Sequence, residues 1–237
     1  MGLGDILSKS LSFSFSDLTK YLMVGIGIII CDLDASLGEV FGQDSFIVII
    51  AFIIAVLFSF VMAGYSVNVT KKGIENSKGI PSYDLKNNFI DGLKLFVVFL
   101  FYFIIPIIIT LVLLVVFDAF GEGFGHITAA LGIWALVAII IFIIFGILGV
   151  AAQARYAISR SIGYAISIGD VVGDVKRIGI LKIILFLIVE FILLIVYSLI
   201  LEVVPVVPVI GTMVTDVILG GFLVLFINYG VGLLYSE

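Results

Sequence analysis

The sequence predicts an all-α membrane protein: a polytopic bundle of six transmembrane helices with amphipathic helices at the membrane interface. Three observations predict it. Hydrophobic residues make up 63% of the chain and charged residues 12%, about half the charged share of a soluble domain. Mean hydropathy is +1.39. Finally, six apolar runs alternate with polar connections, and all 12 Lys and Arg residues fall on every second connection.

The runs lie at about Leu18 to Cys31, Ser45 to Asn68, Lys94 to Phe117, Ala129 to Gln153, Ile178 to Leu201 and Val209 to Tyr229. Each approaches the roughly 20 residues that cross a bilayer as a helix, except the first. The amino end carries Lys9 and Lys20. The second loop carries Lys71, Lys72, Lys78, Lys86 and Lys94, and the fourth Arg155, Arg160, Lys176, Arg177 and Lys182. Acids without bases occupy the other side: Asp32, Asp34, Glu39 and Asp44, then Asp118 and Glu122, then Glu202 and Asp216. Lys and Arg concentrate on the cytoplasmic side of membrane proteins, so both termini are expected in the cytoplasm of a multi-pass cell-membrane protein. The net charge of -5 therefore averages a basic cytoplasmic face and an acidic outer one.

Before the first span, Leu3, Leu7, Leu11 and Leu18 form an apolar stripe beside Asp5, Lys9 and Ser12, which reads as an interfacial helix. The Ser-Phe alternation from Ser12 to Ser16 competes as an extended reading. Asp5, Lys9, Asp17 and Lys20 precede the first run and no small-residue cleavage site follows directly, so this span is expected to stay as an anchor. Similar stripes precede the third span (Leu85, Phe89, Leu93, Phe96) and the fifth (Ile168, Val171, Val172, Val175). Each of these three entrances places an acid three residues before a base: Asp17 and Lys20, Asp91 and Lys94, Asp174 and Arg177. On a helix that spacing puts the two on one face, where they pair weakly. Three interfacial helices are expected. The pattern suggests a single membrane domain over 1–237 built from three parallel units, 1–68, 83–156 and 168–237, each an interfacial helix plus a hairpin. Chance is the competing explanation, since charges gather at interfaces anyway.

Glu190 is the sharpest single residue, midway along the fifth run. An acid there is costly, about 2.5 to 3.5 kcal/mol on insertion scales, and should face protein or water. Burial disfavours its charged form, so a neutral Glu190 is expected, either as a structural donor or as a proton-linked switch. Pro106 at similar depth in the third span frees the carbonyl of Tyr102, which a protonated Glu190 could reach. Glu190, Tyr102 and Pro106 are thus the candidate intramembrane polar site.

Lys71, Lys72, Lys94, Arg155, Arg160, Lys176 and Arg177 are candidate contacts for anionic lipid headgroups or a protein partner, although topology alone already demands bases there. Gly25 and Gly27, Gly146 and Gly149, and Gly220 and Gly221 are expected to let helices approach closely. The last pair could instead unwind the sixth span. Pro205 and Pro208 are expected to shape the outer turn before that span. His126 with Asp118 and Glu122 supplies too few ligands for a metal site. Trp134, Tyr83, Tyr156 and Tyr235 read as interfacial anchors. Cys31 is the single cysteine, which excludes an intrachain disulfide and a multi-cysteine metal site.

The residues from Gly64 to Pro106 resemble the domain of unknown function 4013 family of archaeal and bacterial membrane proteins. Gly64-Tyr65, Pro81, Tyr83-Asp84, Tyr102 and Pro106 carry the likeness, with Phe89-Ile90-Asp91-Gly92-Leu93-Lys94 as its most specific run; Ala154-Arg155-Tyr156 and Leu234-Tyr235 also fit. The loop is a residue shorter than the family pattern and lacks an aromatic near Leu85 or Lys86. The resemblance implies an integral membrane protein, fits an archaeal, methanogen-like source, and transfers no activity or catalytic residues.

Two functions are weighed. A non-catalytic membrane scaffold or accessory protein would hold lipids, a membrane-protein partner or further copies of itself through helical faces and basic loops. A small-solute transporter or channel would instead pass its cargo between the units, with Glu190 near the midplane. The first ranks ahead, because one buried acid is thin evidence for a pathway. No cofactor, metal or nucleic-acid partner is expected: the bases are dispersed among acids and no nucleic-acid module is recognisable. Enzyme chemistry is not expected either, without a nucleophile elbow or paired intramembrane His and Glu.

Overall fold

Leu18 opens a helix because Asp17, in extended backbone, accepts a hydrogen bond from the Lys20 amide at 3.1 Å, and the same logic of side-chain capping starts several elements. The computed structural model describes the backbone of residues 1–120, 127–203 and 208–237, and their side chains outside 116–133, 202–210 and 212. Its helices are α1 (Leu3–Ser14), α2 (Leu18–Cys31), α3 (Leu33–Phe41), α4 (Phe46–Ile74), α5 (Leu85–Phe120), α6 (Ile127–Ser159), α7 (Ile162–Ala165), α8 (Ile168–Ile178), α9 (Ile180–Val203), α10 (Pro208–Thr215) and α11 (Gly221–Tyr235). A single π turn, Asp216–Gly220, joins the last two.

Five segments are long and apolar enough to cross a membrane: Phe46–Ile74, Leu85–Val115, Trp134–Ser159, Ile180–Leu201 and Met213–Tyr235. α1 and α2 together pass the same test but meet at 90°; α1 turns away from the axis of α2 and packs on α11, with Ile6 and Phe13 buried. α8 also stands apart from its span. Gly179, at φ +99°, breaks the chain between α8 and α9 in a region that favours glycine.

The third expected interfacial helix is not separate. Its stripe runs without a break into the span as one helix of 36 residues, roughly 54 Å at 1.5 Å per residue, well beyond the ~30 Å hydrocarbon core. No positive-φ glycine interrupts it; Gly92 instead stays helical and packs against α4.

α4 sits at the centre, touching α2, α3, α5, α6 and α11. Glycines set these crossings. A Cβ on Gly64 would overlap the Asn88 carbonyl of α5, and one on Gly92 the Phe60 carbonyl of α4; Gly73 and Gly232 bear the same relation across α4 and α11. Gly25 lies against Val217, and Gly221 against Gly25, so those two expected close approaches are present. Gly146 behaves otherwise. Nothing lies within 4 Å of its Cβ position, and only a Phe99 ring atom lies near that of Gly149, at 3.9 Å. These two open space instead of closing it.

Large apolar side chains face outward along α4, α5, α6 and α9; Leu181 is 69% exposed and Phe191 63%. Such a belt is costly in water and at ease in lipid. α9 is the outermost span, with 11% of its apolar window buried against 61% for the last span. The chain ends meet at the basic end of the bundle, where the Met1 amino group lies 2.5 Å from Glu237.

Candidate functional site

α9 leans on the bundle loosely enough to leave a cavity of about 230 Å³ between it and α5, α6 and α11. Phe99, Phe142, Phe145 and Leu187 form apolar walls, and Gly146 and Gly149 supply the room. Its polar lining comes chiefly from Glu190 of α9 and Gln153 of α6, with Tyr102 of α5 at the edge.

The orientation of Gln153 follows from its neighbours. Asn228 donates from Nδ2 to the Val224 carbonyl at 2.7 Å, which turns its Oδ1 toward α6. Gln153 Nε2 donates to that Oδ1 at 2.6 Å and to Thr70 Oγ1 at 3.0 Å. Thr70 in turn donates to the Ser66 carbonyl. An amide nitrogen has two hydrogens, and both are used, so Gln153 contributes its oxygen as the remaining group. Thr70, Gln153 and Asn228 come from α4, α6 and α11, three spans that meet here. The cavity is therefore lined by an amide oxygen, which accepts, and by the Glu190 carboxyl, which accepts and, when protonated, also donates.

Glu190 and Tyr102 line one cavity, while Pro106 is buried one turn farther along α5 and does not line it. No hydrogen bond joins Glu190 to Tyr102 among the described residues. The Tyr102 hydroxyl donates across to the Ala165 carbonyl at 3.0 Å and so docks α7 on α5.

At the basic end, Arg155 is 4% exposed and fully engaged. It donates to Asp174 Oδ2 at 2.7 Å, to Asp170 Oδ2 at 3.2 Å and to the Tyr164 carbonyl at 2.9 Å, and stacks on the Tyr164 ring. Tyr235 donates to the same Asp174 oxygen at 2.8 Å, and Arg177 lies 3.4 Å from the other. Burial alone would raise the Asp174 pKa, but the Arg155 and Tyr235 hydrogen bonds outweigh it and hold the carboxyl below its usual range.

A second network answers Asp91. Arg160 donates to it at 2.5 Å and Tyr156 at 3.2 Å. The expected local pair with Lys94 is absent among the described residues, because a guanidinium serves Asp91 and Asn68 Oδ1 together, the latter at 2.6 Å. Arg160 holds φ +55° to do so, a left-handed conformation costing about 1–2 kcal/mol. The Asp17–Lys20 and Asp174–Arg177 pairs do form, at 3.9 Å and 3.4 Å.

These networks change how the basic candidates read. Arg155, Arg160 and Arg177 serve internal contacts, and Lys71 lies 3.9 Å from Glu75. The side chains of Lys72, Lys94 and Lys176 have no polar partner among the described residues. Tyr156 and Tyr235, expected as interfacial anchors, are buried hydrogen-bond donors instead; Tyr83 stacks on Tyr65, and Trp134 donates to the Thr110 carbonyl. Asp216 was read as an outer-loop acid, yet it starts the π turn, is 3% exposed and accepts from Tyr197 at 2.6 Å. Pro208 begins α10. Pro205, and the side chains of Asp118, Glu122 and His126, lie outside the described residues.

Sequence reasoning missed Asn68, Thr70, Asn88, Gln153 and Asn228. The available signal was neutral polar residues at the basic ends of the apolar runs, which served only to mark where the spans stop.

An all-helical bundle with lipid-facing apolar belts and polar networks confined to its interior and ends defines a multi-pass membrane protein. Residues 47–206 match the family model described as "Protein of unknown function (DUF4013)", and the chain belongs to that family. No match was found among curated proteins or among solved structures.

Proposed function

We propose that this protein is a non-catalytic membrane protein that holds a small amphipathic molecule within the bilayer, in the cavity between α5, α6, α9 and α11. The carrying observation is that Glu190 and Gln153 both line an otherwise aromatic and aliphatic pocket. An amide oxygen and a carboxyl in low dielectric favour a ligand with an apolar body and a polar head that can donate, such as an amine or a hydroxyl. Held there, such a ligand would suit an accessory or scaffold role among membrane lipids and protein partners. The positive-inside rule supports a cytoplasmic basic end, with both termini on that side. The meeting of Thr70, Gln153 and Asn228, one from each even-numbered span, supports descent of the bundle from three repeated hairpins.

A transport reading draws support from α9, which carries both Glu190 and the Tyr197 that holds Asp216 at the π turn. Irregular helical turns inside spans recur at functional sites, and a loosely packed α9 is suited to move.

Native mass spectrometry of protein gently extracted from its own membranes tests the binding reading. Wild type should retain a stoichiometric small-molecule adduct, and Gly146→Phe, which fills the cavity, should lose it. An adduct unchanged in the filled variant would sink the reading. Glu190→Gln should keep an alcohol-headed ligand and release an amine.

A further inference from the structure

A second polar groove, of about 390 Å³, lies at the basic end between the last turns of α4 and the start of α5. Asn68, Lys71, Lys72, Asp84, Asn88 and Asp91 line it. It is separate from the intramembrane cavity and shares no residue with it.

The amide orientations in this groove are set by one arginine. A guanidinium only donates, so Asn68 must turn its oxygen to Arg160, which it does at 2.6 Å. Asn68 Nδ2 then donates to Asn88 Oδ1 at 2.8 Å. Asn88 is left with its nitrogen, which is buried and has no acceptor among the described residues; the residue is 0% exposed. The Asn88 backbone is held in place by its close contact with Gly64 where α4 and α5 cross. A buried donor without an acceptor is rare in native proteins and points to a missing partner.

The groove's acids are already answered. Glu75 lies 3.9 Å from Lys71, Asp84 accepts from the Asn87 amide and side chain at 3.1 Å and 2.5 Å, and Asp91 accepts from Arg160 and Tyr156. The Ser82 hydroxyl and the Asn87 oxygen, both on exposed residues, also lack a partner among the described residues; the buried group left unanswered is the Asn88 amide, and the cation left unanswered is the Lys72 ammonium. We propose that this groove binds a phosphate-type anion, whose oxygens accept from Asn88 and Lys72. The anion is the headgroup of a phospholipid or a free phosphate; both present the same chemistry to these donors. This site does not rest on the ligand of the intramembrane cavity.

The test uses the full chain in detergent. Thermal unfolding is titrated with inorganic phosphate against sodium chloride at matched ionic strength. In parallel, native mass spectrometry follows retention of added phosphatidic acid against diacylglycerol, which lacks the phosphate. Asn88→Asp keeps the oxygen that Asn68 needs and replaces the unanswered donor by an acceptor; binding should weaken at least tenfold. Lys72→Gln should weaken it several-fold, and decides the matter if the first variant does not fold. Saturable stabilisation by inorganic phosphate assigns a free anion, and selective retention of phosphatidic acid alone assigns a headgroup. Absence of both, or binding undiminished in the variants, overturns the proposal.

Discussion

Arg155 and Asp174 pair at 2.7 Å across two helices, α6 and α8, with the arginine side chain only 5% exposed. The pair ties the amphipathic helix before α9 to the centre of the bundle, and Tyr235 at the end of α11 closes the same network through Asp174. Removing Asp174 strips the buried guanidinium of its closer and less exposed acid and leaves it Asp170, 3.2 Å away and 62% exposed. Asp174→Ala should therefore cost about 3–5 kcal/mol, seen as a fall in the denaturation midpoint in detergent. Arg177, 41% exposed, touches the same carboxylate from outside, and Arg177→Gln should cost under about 1 kcal/mol. Equal losses in the two variants would refute the buried role of Arg155.

Acid stability follows from the same carboxyl. The folded Asp174 pKa lies below its usual value, so the folded state binds this proton less readily than the unfolded chain. Its contribution is full above the unfolded carboxylate pKa of about 3.9 and is lost as pH falls through the lower folded value. Stability measured from pH 7 to 5 should show no loss from this group. Below about pH 4 the wild type should lose stability that Asp174→Asn has already lost, so the two curves should converge.

Glycine substitutions separate close contacts from open space. Gly64→Ala and Gly232→Ala place a Cβ against the backbone of a neighbouring helix, and overpacking of this kind costs typically 1–3 kcal/mol. Gly146→Ala meets nothing and should be neutral or stabilising by about 0.5–1 kcal/mol through helix propensity. Thermal unfolding of the three variants checks the order.

Gln153→Leu should destabilise by about 1–3 kcal/mol, because the Asn228 oxygen loses its donor inside the bundle. Replacing both residues by leucine removes the unsatisfied group, so the double variant should lose less than the sum of the singles. Additive losses would mean that the 2.6 Å contact carries no coupling.

Much of the architecture was legible from Lys and Arg placement and from apolar run length, because insertion depends on hydropathy summed along a continuous segment. Glu190 was legible as an outlier for the same reason. Other features were not. The stripe from Leu85 to Phe96 looked like the one before α9, but Gly179 breaks only the latter. Asp91 looked ready for Lys94 and found Arg160 instead, through a loop whose αL turn leaves no mark in composition. Asn68, Gln153 and Asn228 looked like span ends, since an amide within a turn of the interface is cheap and ordinary when read alone.

The sequence by itself determined the helical class, the approximate limits of the five long spans, the shared side of the two termini's charges and the cost of an acid at Glu190. These are local quantities, fixed by the transfer of each segment between water and lipid. Only the tertiary structure decided that Thr70, Gln153 and Asn228 meet, that Gly146 and Gly149 open a cavity while Gly64 and Gly92 close a contact, and that Asn88 keeps an unanswered amide. Those outcomes depend on the rotation and crossing of helices far apart in the chain, where backbone approach and mutual hydrogen-bond satisfaction choose among partners that hydropathy treats alike.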